Sequence, residues 1–569
     1  MASSRSVVTT LARYVVTSRG SVAALQRAVL PGNTFSPLSA LSSGVQSSAS
    51  PSSSRLRFFS SSLNCTKALL DVDDFTKRFL AEVTDISDAT DPALSSKALR
   101  SLVRSKVLMF TDMSEAPEKF FLAHRLLSTI GLGGFGIRFT VQFNLFAGSI
   151  VGLGGVEQIK MLDSIQEKGQ LGCFLLTEMQ AGVLSGLIVE TTATWDEETQ
   201  SFILHTPSDK AAKNWISQGY TAELGVVIAD LRMGGKSLGP HPFHLRLRDE
   251  TGKLVPGIRT EDMGIKTVAN DLDNARVWFD NVRLPKDALL NRFCDIRDNK
   301  YVQVGAEKMR IEVIGQRLLT GRMCIAEAAL VSARVLHMKT EAYARKKVCN
   351  GLAGERSLYS MPQVQSRFEK SYKAIDEMVG FVAAIEERLC AHLRNGTIPD
   401  ADLVDAIAVC KIRCIDVAIE ASHKLRMEVG SYALMHKTGF ELMDMFLCCK
   451  FAEGDTRILQ MKLARDRLKK LHKNGMLSEM ANLFGSTQEA RAEGLAALML
   501  AKNLAPAGRD LDKMAIAMDK NWKEVFELAK LIEVRHMKTQ KSSTFIEKNI
   551  VERLTPASAA FDFGWKGKI

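Results

Sequence analysis

The ten cysteines include no Cys-x-x-Cys pair, and the ten histidines show no metal-binding spacing beyond the near pair His241 and His244. That pair lies in strand-like sequence with no third ligand nearby, so a metal site is not expected there. Cys410 and Cys414 have helical spacing, and Cys448 and Cys449 are adjacent in an apolar stretch. These read as buried free thiols of a reducing compartment rather than a disulfide framework. No apolar run reaches the length of a membrane span. There is no internal repeat, and no low-complexity segment after the first 63 residues. Those 63 residues contain no acid, the first being Asp71.

What is present is a chain of 569 residues, 46% hydrophobic and 24% charged. That is long enough for several domains and a large core, in the proportions of a soluble globular protein. The formal charge is +11, but Arg5, Arg13, Arg19, Arg27, Arg55 and Arg57 of the acid-free stretch account for more than half of it. The remainder does not indicate nucleic-acid binding. A Ser/Ala/Arg-rich segment without acids has the composition of an organelle import presequence, expected over residues 1–63. Arg57-Phe58-Phe59-Ser60-Ser61 resembles a mitochondrial processing site, so the expected destination is the mitochondrial matrix, with a plastid or the peroxisome as alternatives. Gly567-Lys568-Ile569 is not a peroxisomal address.

Residues 66–170 read as an N-terminal helical domain, with Phe75, Phe79, Leu80 and Val83, and then Phe120, Phe121, His124 and Leu127, at helical spacing. Gly131-Leu132-Gly133-Gly134-Phe135-Gly136 fits the dinucleotide pattern G-x-G-x-x-G. Helical sequence precedes it where a strand is required, so it reads as a glycine-rich helix junction. Over 171–295 the pattern turns to short β-rich runs. Ile188 to Trp195 and Ser201 to Thr206 flank a turn as a hairpin. No long helix interrupts the strands, which predicts an antiparallel barrel or sandwich. Arg232-Met233-Gly234-Gly235-Lys236-Ser237 ends like a phosphate loop but lacks its first glycine, and reads as a turn. Helical spacing returns over 300–472, and 473–569 reads as a more polar helical extension. The expected fold class is α+β: a helical domain, a central antiparallel β domain, a helical bundle and a further helical extension.

Late in the second helical block, an apolar run from Phe440 to Cys449 leads into Phe451-Ala452-Glu453-Gly454-Asp455-Thr456-Arg457. An amphipathic run leads out through Leu459 and Leu463. Two helices therefore meet at a tight turn, where Gly454 supplies backbone freedom and Asp455 or Thr456 caps the second helix. Glu453 stands at that joint beside an apolar helix end. Desolvation there would raise its pKa towards the range of a general base; the alternative is a solvated loop glutamate.

Val141-Gln142-Phe143-Asn144-Leu145-Phe146, Gly172-Cys173-Phe174-Leu175-Leu176-Thr177-Glu178 and Glu190-Thr191-Thr192-Ala193-Thr194-Trp195 look like segments of acyl-CoA oxidases. So do Trp278-Phe279-Asp280-Asn281-Val282-Arg283-Leu284-Pro285 and Leu289-Leu290-Asn291-Arg292-Phe293. From about 110 to 470 the chain resembles the acyl-CoA dehydrogenase and oxidase family. The resemblance implies FAD between the β domain and the second helical block. It implies that Thr177 contacts the flavin pyrimidine, that Trp215-Ile216-Ser217 places Ser217 by flavin N5, that Arg345 holds the FAD diphosphate across a subunit interface, and that Glu453 is the catalytic base. The implied assembly is a homodimer or homotetramer.

The implied reaction is α,β-dehydrogenation of acyl-CoA to trans-2-enoyl-CoA in fatty acid β-oxidation. A base takes the α-proton while the thioester oxygen is hydrogen-bonded, and the cofactor accepts the β-hydride. An oxidase passes the electrons to oxygen, giving hydrogen peroxide; a dehydrogenase passes them to an electron-transfer flavoprotein. The middle segments favour the first and the presequence the second. A non-catalytic member that binds flavin or acyl chains in assembly is a third reading. The chain departs from the family pattern at Val183, where a hydroxyl is usual, at Val348-Cys349 after Arg345, and at the shortened turn Val429-Gly430-Ser431-Tyr432.

Overall fold

The computed structural model describes residues 71–83, 91–131, 133–182, 188–304, 309–352, 354–508 and 510–539. The presequence expected over 1–63 and the departure at Val183 lie outside them. The described residues gather into one compact unit.

Helices come first. α1 (Val72–Val83) buries Phe75, Phe79 and Val83, the face its spacing predicts. α2 (Pro92–Ser105) is N-capped by Asp91, which accepts from Ala93 N. α3 (Pro117–Ile130) ends at Gly131. α4 (Gly134–Thr140) then begins, passes through a π-helical stretch, Val141–Ala147, and continues as α5 (Gly148–Leu153); α6 (Val156–Lys168) follows. The glycine-rich motif is thus a helix junction. The free N–H groups of Gly134 and Phe135 at the start of α4 donate to the Asp271 carboxylate, at 2.7 and 2.6 Å. A helix N-terminus attracts anions, and here the chain's own carboxylate occupies it.

The strands are β1 (Gly172–Leu175), β2 (Thr192–Asp196), β3 (Ser201–His205), β4 (Lys213–Ser217), β5 (Leu224–Met233), β6 (Lys236–Arg246), β7 (Ile258–Asp262), β8 (Asn274–Phe279), β9 (Val282–Pro285), β10 (Cys294–Arg297) and β11 (Lys300–Gln303). β2 and β3 form the predicted hairpin, with Asp196 opposite Ser201. The Arg232 to Ser237 stretch is the turn from β5 to β6. One sheet runs β1-β5-β2-β3-β9 with β6 on the other edge of β5; a second runs β4-β8-β7. The expectation of an antiparallel sheet needs a correction at β5. This strand pairs parallel with β1 at Leu224 to Val227 and with β2 at Asp230 to Arg232. The chain between β1 and β5 is long enough to return in the same direction, which a hairpin is not.

The last block opens with α7 (Met309–Lys346), followed by a hairpin of β12 (Val348–Gly351) and β13 (Gly354–Ser357) that helical spacing did not predict. α8 (Pro362–Asn395) and α9 (Ala401–Val429) pack against α7 and each other. Then come α10 (Leu442–Phe451), α11 (Thr456–Asn474), α12 (Met476–Gly485), α13 (Gln488–Leu504), α14 (Leu511–Lys520) and α15 (Trp522–Thr539). α11 and α13 pack on α15, so the extension is built onto the helix that follows Glu453.

Candidate active site

The turn between α10 and α11 carries two consecutive residues in the left-handed region, Glu453 at φ 56° and Gly454 at φ 99°. Glycine adopts this conformation freely; for glutamate it is strained and must be held by its surroundings. Asp455 is the cap of α11, accepting from Arg457 N at 2.8 Å, while the Thr456 hydroxyl donates to Lys450 O at 3.3 Å. Arg322 on α7 donates from Nε to the Glu453 carbonyl at 2.9 Å. Lys411 on α9 donates from Nζ to Lys450 O at 3.1 Å and to Gly454 O.

The Glu453 carboxyl lies on α7 over Gly321, where an added Cβ would come within 2.4 Å of the carboxyl carbon. Gly321 is required by this close approach. Glu453 as a whole residue is half-buried, but its Oε2 is enclosed with no hydrogen-bond partner. Burial pushes its pKa up to about 7, against the opposing pull of Arg322 and Lys411. An enclosed carboxyl with a free oxygen and a pKa near neutrality can accept a proton from a weak carbon acid.

Thr177 and Trp215 come together where β1 runs out beside β4. Thr177 lies just past the end of β1, exposed, and its carbonyl accepts from Asn214 N at 2.8 Å. A register shift between Lys213 and Ile216 bulges β4, and Trp215 sits in it at φ 57° with 56% of its surface exposed. Bulges re-aim side chains beside functional sites, and this one turns a large aromatic out of the sheet. Behind it, Lys213 and Glu178 form a fully buried ion pair at 2.8 Å. Glu178 also accepts from Glu190 N and Thr191 N, so the crossing is locked from within. Half-buried Ser217 accepts from Asn274 Nδ2 at 3.2 Å. The loop before Asn274 carries Val268 and Ala269 onto the apolar cluster around Phe446 and Cys449 of α10. The strand end at Ser217 is thereby tied to the helix that leads into Glu453.

An exposed indole, an exposed threonine beside it, and the exposed Leu447 and Phe451 of α10 suit a flat aromatic cofactor with polar edges. The residues fit FAD in that respect. Arg345 is not brought to this place. It is exposed near the end of α7, paired with Glu341 at 2.6 Å and stacked over the Tyr359 ring at 3.7 Å. From Gly321 to Arg345 the helix runs about 36 Å at 1.5 Å per residue, so Arg345 does not reach the Glu453 site of its own subunit. Val348, exposed, and Cys349 lie on β12, next to Arg345.

A cavity of about 750 Å³ opens on the other side of Arg322, between α7, the start of α9, α11 and α15. Its lining holds seven cations, among them Arg322, Lys462, Lys470 and Lys473, against three acids.

No family model matches the chain. In sequence it is 36% identical over 180 residues to acyl-coenzyme A oxidase 3, peroxisomal, of Arabidopsis thaliana, covering 31% of this chain and 26% of that protein. It is 29% identical over 364 residues to the acyl-coenzyme A oxidase of Debaryomyces hansenii, covering 58% and 51%. The chain thus matches about half or less of the length of these curated relatives. In structure it resembles the acyl-CoA oxidase-2 of Caenorhabditis elegans bound with FAD, ascaroside-CoA and ATP, with a TM-score of 0.65 at 19% identity over 85% of this chain and 78% of that one. Against butyryl-CoA dehydrogenase of Megasphaera elsdenii the TM-score is 0.52 at 20% identity, over 68% and 96%. This is the acyl-CoA oxidase and dehydrogenase fold.

Within that fold, sequence reasoning missed the groups that hold the named residues in place. Lys411 is a lone charge in the apolar run from Ala406 to Ile412, a signal that could have been read. Glu178 carries no local mark within the segment 172–178, since its pairing with Lys213 joins residues 35 apart in sequence. Gly321 carries no local signal, since its meaning depends on a carboxyl that arrives from another helix.

Proposed function

We propose that the chain is an FAD-dependent acyl-CoA oxidase that converts acyl-CoA to trans-2-enoyl-CoA in fatty acid β-oxidation and passes the electrons to oxygen. The observation that carries this reading is the enclosed Glu453 carboxyl over Gly321, with an unpartnered oxygen and a pKa raised towards neutrality. Glu453 takes the α-proton of the thioester. Thr177, Trp215 and Ser217 hold and orient the flavin ring at the β1–β4 edge. When bound, FAD supplies the acceptor for the β-hydride. The basic cavity beyond Arg322 suits the phosphate-bearing end of CoA, because clustered Lys and Arg lower the energy of a polyanion. Arg345 lies too far along α7 to serve its own flavin site and serves the diphosphate of a neighbouring subunit's FAD, which makes the protein at least a dimer.

Oxygen is favoured as acceptor because the relatives matched in sequence carry the name oxidase. An electron-transfer flavoprotein is the rival acceptor. The mitochondrial matrix, expected from the composition of 1–63, finds no support among these relatives; the Arabidopsis protein is named peroxisomal. The destination proposed is therefore the peroxisome, and immunolocalisation of the untagged chain to the matrix would overturn it.

Purified protein reconstituted with FAD and given a panel of acyl-CoAs tests the reaction. Flavin bleaching without oxygen, and hydrogen peroxide in its presence, are the expected results. Bleaching without peroxide would transfer the reading to a dehydrogenase, and no bleaching with any acyl-CoA would leave the non-catalytic reading.

A further inference from the structure

Among the described residues, a buried lysine with no carboxylate partner stands directly behind the catalytic turn. Lys411 is fully buried on α9, and burial with the like charge of Arg322 lowers its pKa to about 8. Placing an ammonium in an apolar helix face is costly, and an apolar side chain of similar length would fill the space without that cost. What the ammonium does is donate: its Nζ meets Lys450 O, at the end of α10, and Gly454 O, immediately after the base. Arg322 meets the remaining carbonyl of the pair, that of Glu453 itself, at 2.9 Å. Neither cation is hydrogen-bonded to the Glu453 carboxyl, whose Oε2 stays free.

We infer that Lys411, with Arg322, is a positioning residue for the base: the two cations clamp the backbone on both sides of Glu453 in the left-handed conformation that lays its carboxyl over Gly321. This rests on the reading of Glu453 as the base. The geometry has a chemical consequence. Carbonyl-bound cations steer the carboxyl without neutralising it through an ion pair, so the base is held in place and keeps its free oxygen. The charged and titratable groups around the clamp are Arg322 and Cys324 from α7, Lys411 from α9, Cys449 from α10 and Asp455 in the turn. Of these, Arg322 and Lys411 favour the ionised carboxyl, and removing one of them moves the ionisation of Glu453 upward in pH.

The experiment uses full-length, FAD-loaded Lys411→Met protein, with Lys411→Gln as a second variant that keeps a donor but no charge. Two readouts are taken: the pH dependence of anaerobic flavin reduction by acyl-CoA, and the carboxyl band of Glu453 in infrared pH titration, assigned by its absence in Glu453→Gln. The expected result for Lys411→Met is a fall of at least about tenfold in the reduction rate and an upward shift of roughly one pH unit in both midpoints. Lys411→Gln should show the same midpoint shift with a smaller loss of rate, which keeps the test available if the Met variant does not fold. A shifted infrared midpoint with unchanged reduction overturns the clamp and leaves Lys411 as a charge that only tunes the Glu453 ionisation, whereas unchanged reduction in Glu453→Gln overturns Glu453 as base. Unshifted midpoints in a folded variant overturn the clamp.

Discussion

Glu453 depends on a residue that has no side chain. Gly321 leaves the space in which the carboxyl lies, and a methyl group there would come within 2.4 to 2.7 Å of three carboxyl atoms. Gly321→Ala is therefore expected to keep the fold and FAD and to lose most of the flavin reduction, since a displacement of about 1 Å at a reacting group costs on the order of a hundredfold. Glu453→Gln should lose at least about a hundredfold while acyl-CoA still binds. Stopped-flow bleaching under anaerobic conditions measures both, and a Gly321→Ala protein that bleaches at the parent rate would mean that the carboxyl does not work from this position. The pH dependence follows from the raised pKa of about 7. A base works when ionised, so reduction should rise as pH increases through that value and level off above it. The turn that carries Glu453 was legible in the local pattern, and Thr177 and Trp215 were offered only by a family resemblance; the emptiness at Gly321 was not legible, because a glycine within a helix looks the same whether or not another chain segment needs the room.

At the scale of elements, the turn from α10 to α11 separates two functions held by neighbouring carboxylates. Asp455 caps α11 and Glu453 faces α7. Asp455→Ala should lower stability by about 1 kcal/mol, the usual loss for an N-cap, and leave flavin reduction close to the parent. A shift of the urea midpoint with unchanged bleaching is the expected pair of results, and a large loss of rate would bring Asp455 into the chemistry. The helix junction at Gly131 to Gly136 teaches the same lesson in reverse. Its spacing matched a nucleotide motif, and the preceding helix argued against it. Asp271, which fills the anion position at α4, comes from the loop between β7 and β8. Only the folded chain brings the two together.

At the scale of the whole molecule, α3, α7 and α8 are joined by a buried cluster in which Arg125 faces Glu327 at 3.1 Å and also Glu386. One guanidinium between two carboxylates leaves negative charge unbalanced, and burial pushes the Glu327 pKa up to about 7. The folded state thus binds a proton that the unfolded state releases at the ordinary carboxylate value of 4.5. Between those two values the folded state holds more protons, so this group's contribution to stability is full below the ordinary value and is lost as pH rises to about 7. Glu327→Gln should remove that slope, narrowing the difference between unfolding midpoints at about pH 5 and about pH 8. An unchanged difference would show that Glu327 ionises in the same way in both states. Assembly supplies the second test at this scale. Arg345→Ala should weaken FAD binding, and mixing it with a Glu453→Gln subunit should report whether Arg345 acts across an interface. Unchanged FAD affinity would leave Arg345 as a surface charge held by Glu341 and Tyr359.

The sequence by itself determined the order of helical, β and helical blocks, because side-chain periodicity is local and survives without knowledge of the partner surface. It also determined the turn at Glu453, since an apolar run, a glycine and a capping acid signal a helix joint wherever they occur. Only the tertiary structure decided that β5 pairs in parallel, that Trp215 is bulged outward, and that the Glu453 carboxyl lies over Gly321 with Lys411 and Arg322 bound to the neighbouring carbonyls. Each of these depends on groups far apart in the chain whose mutual distances no local pattern encodes. A buried charge is the physical extreme of this: whether Lys411 is a defect or a device is set by which carbonyls fold back to meet it.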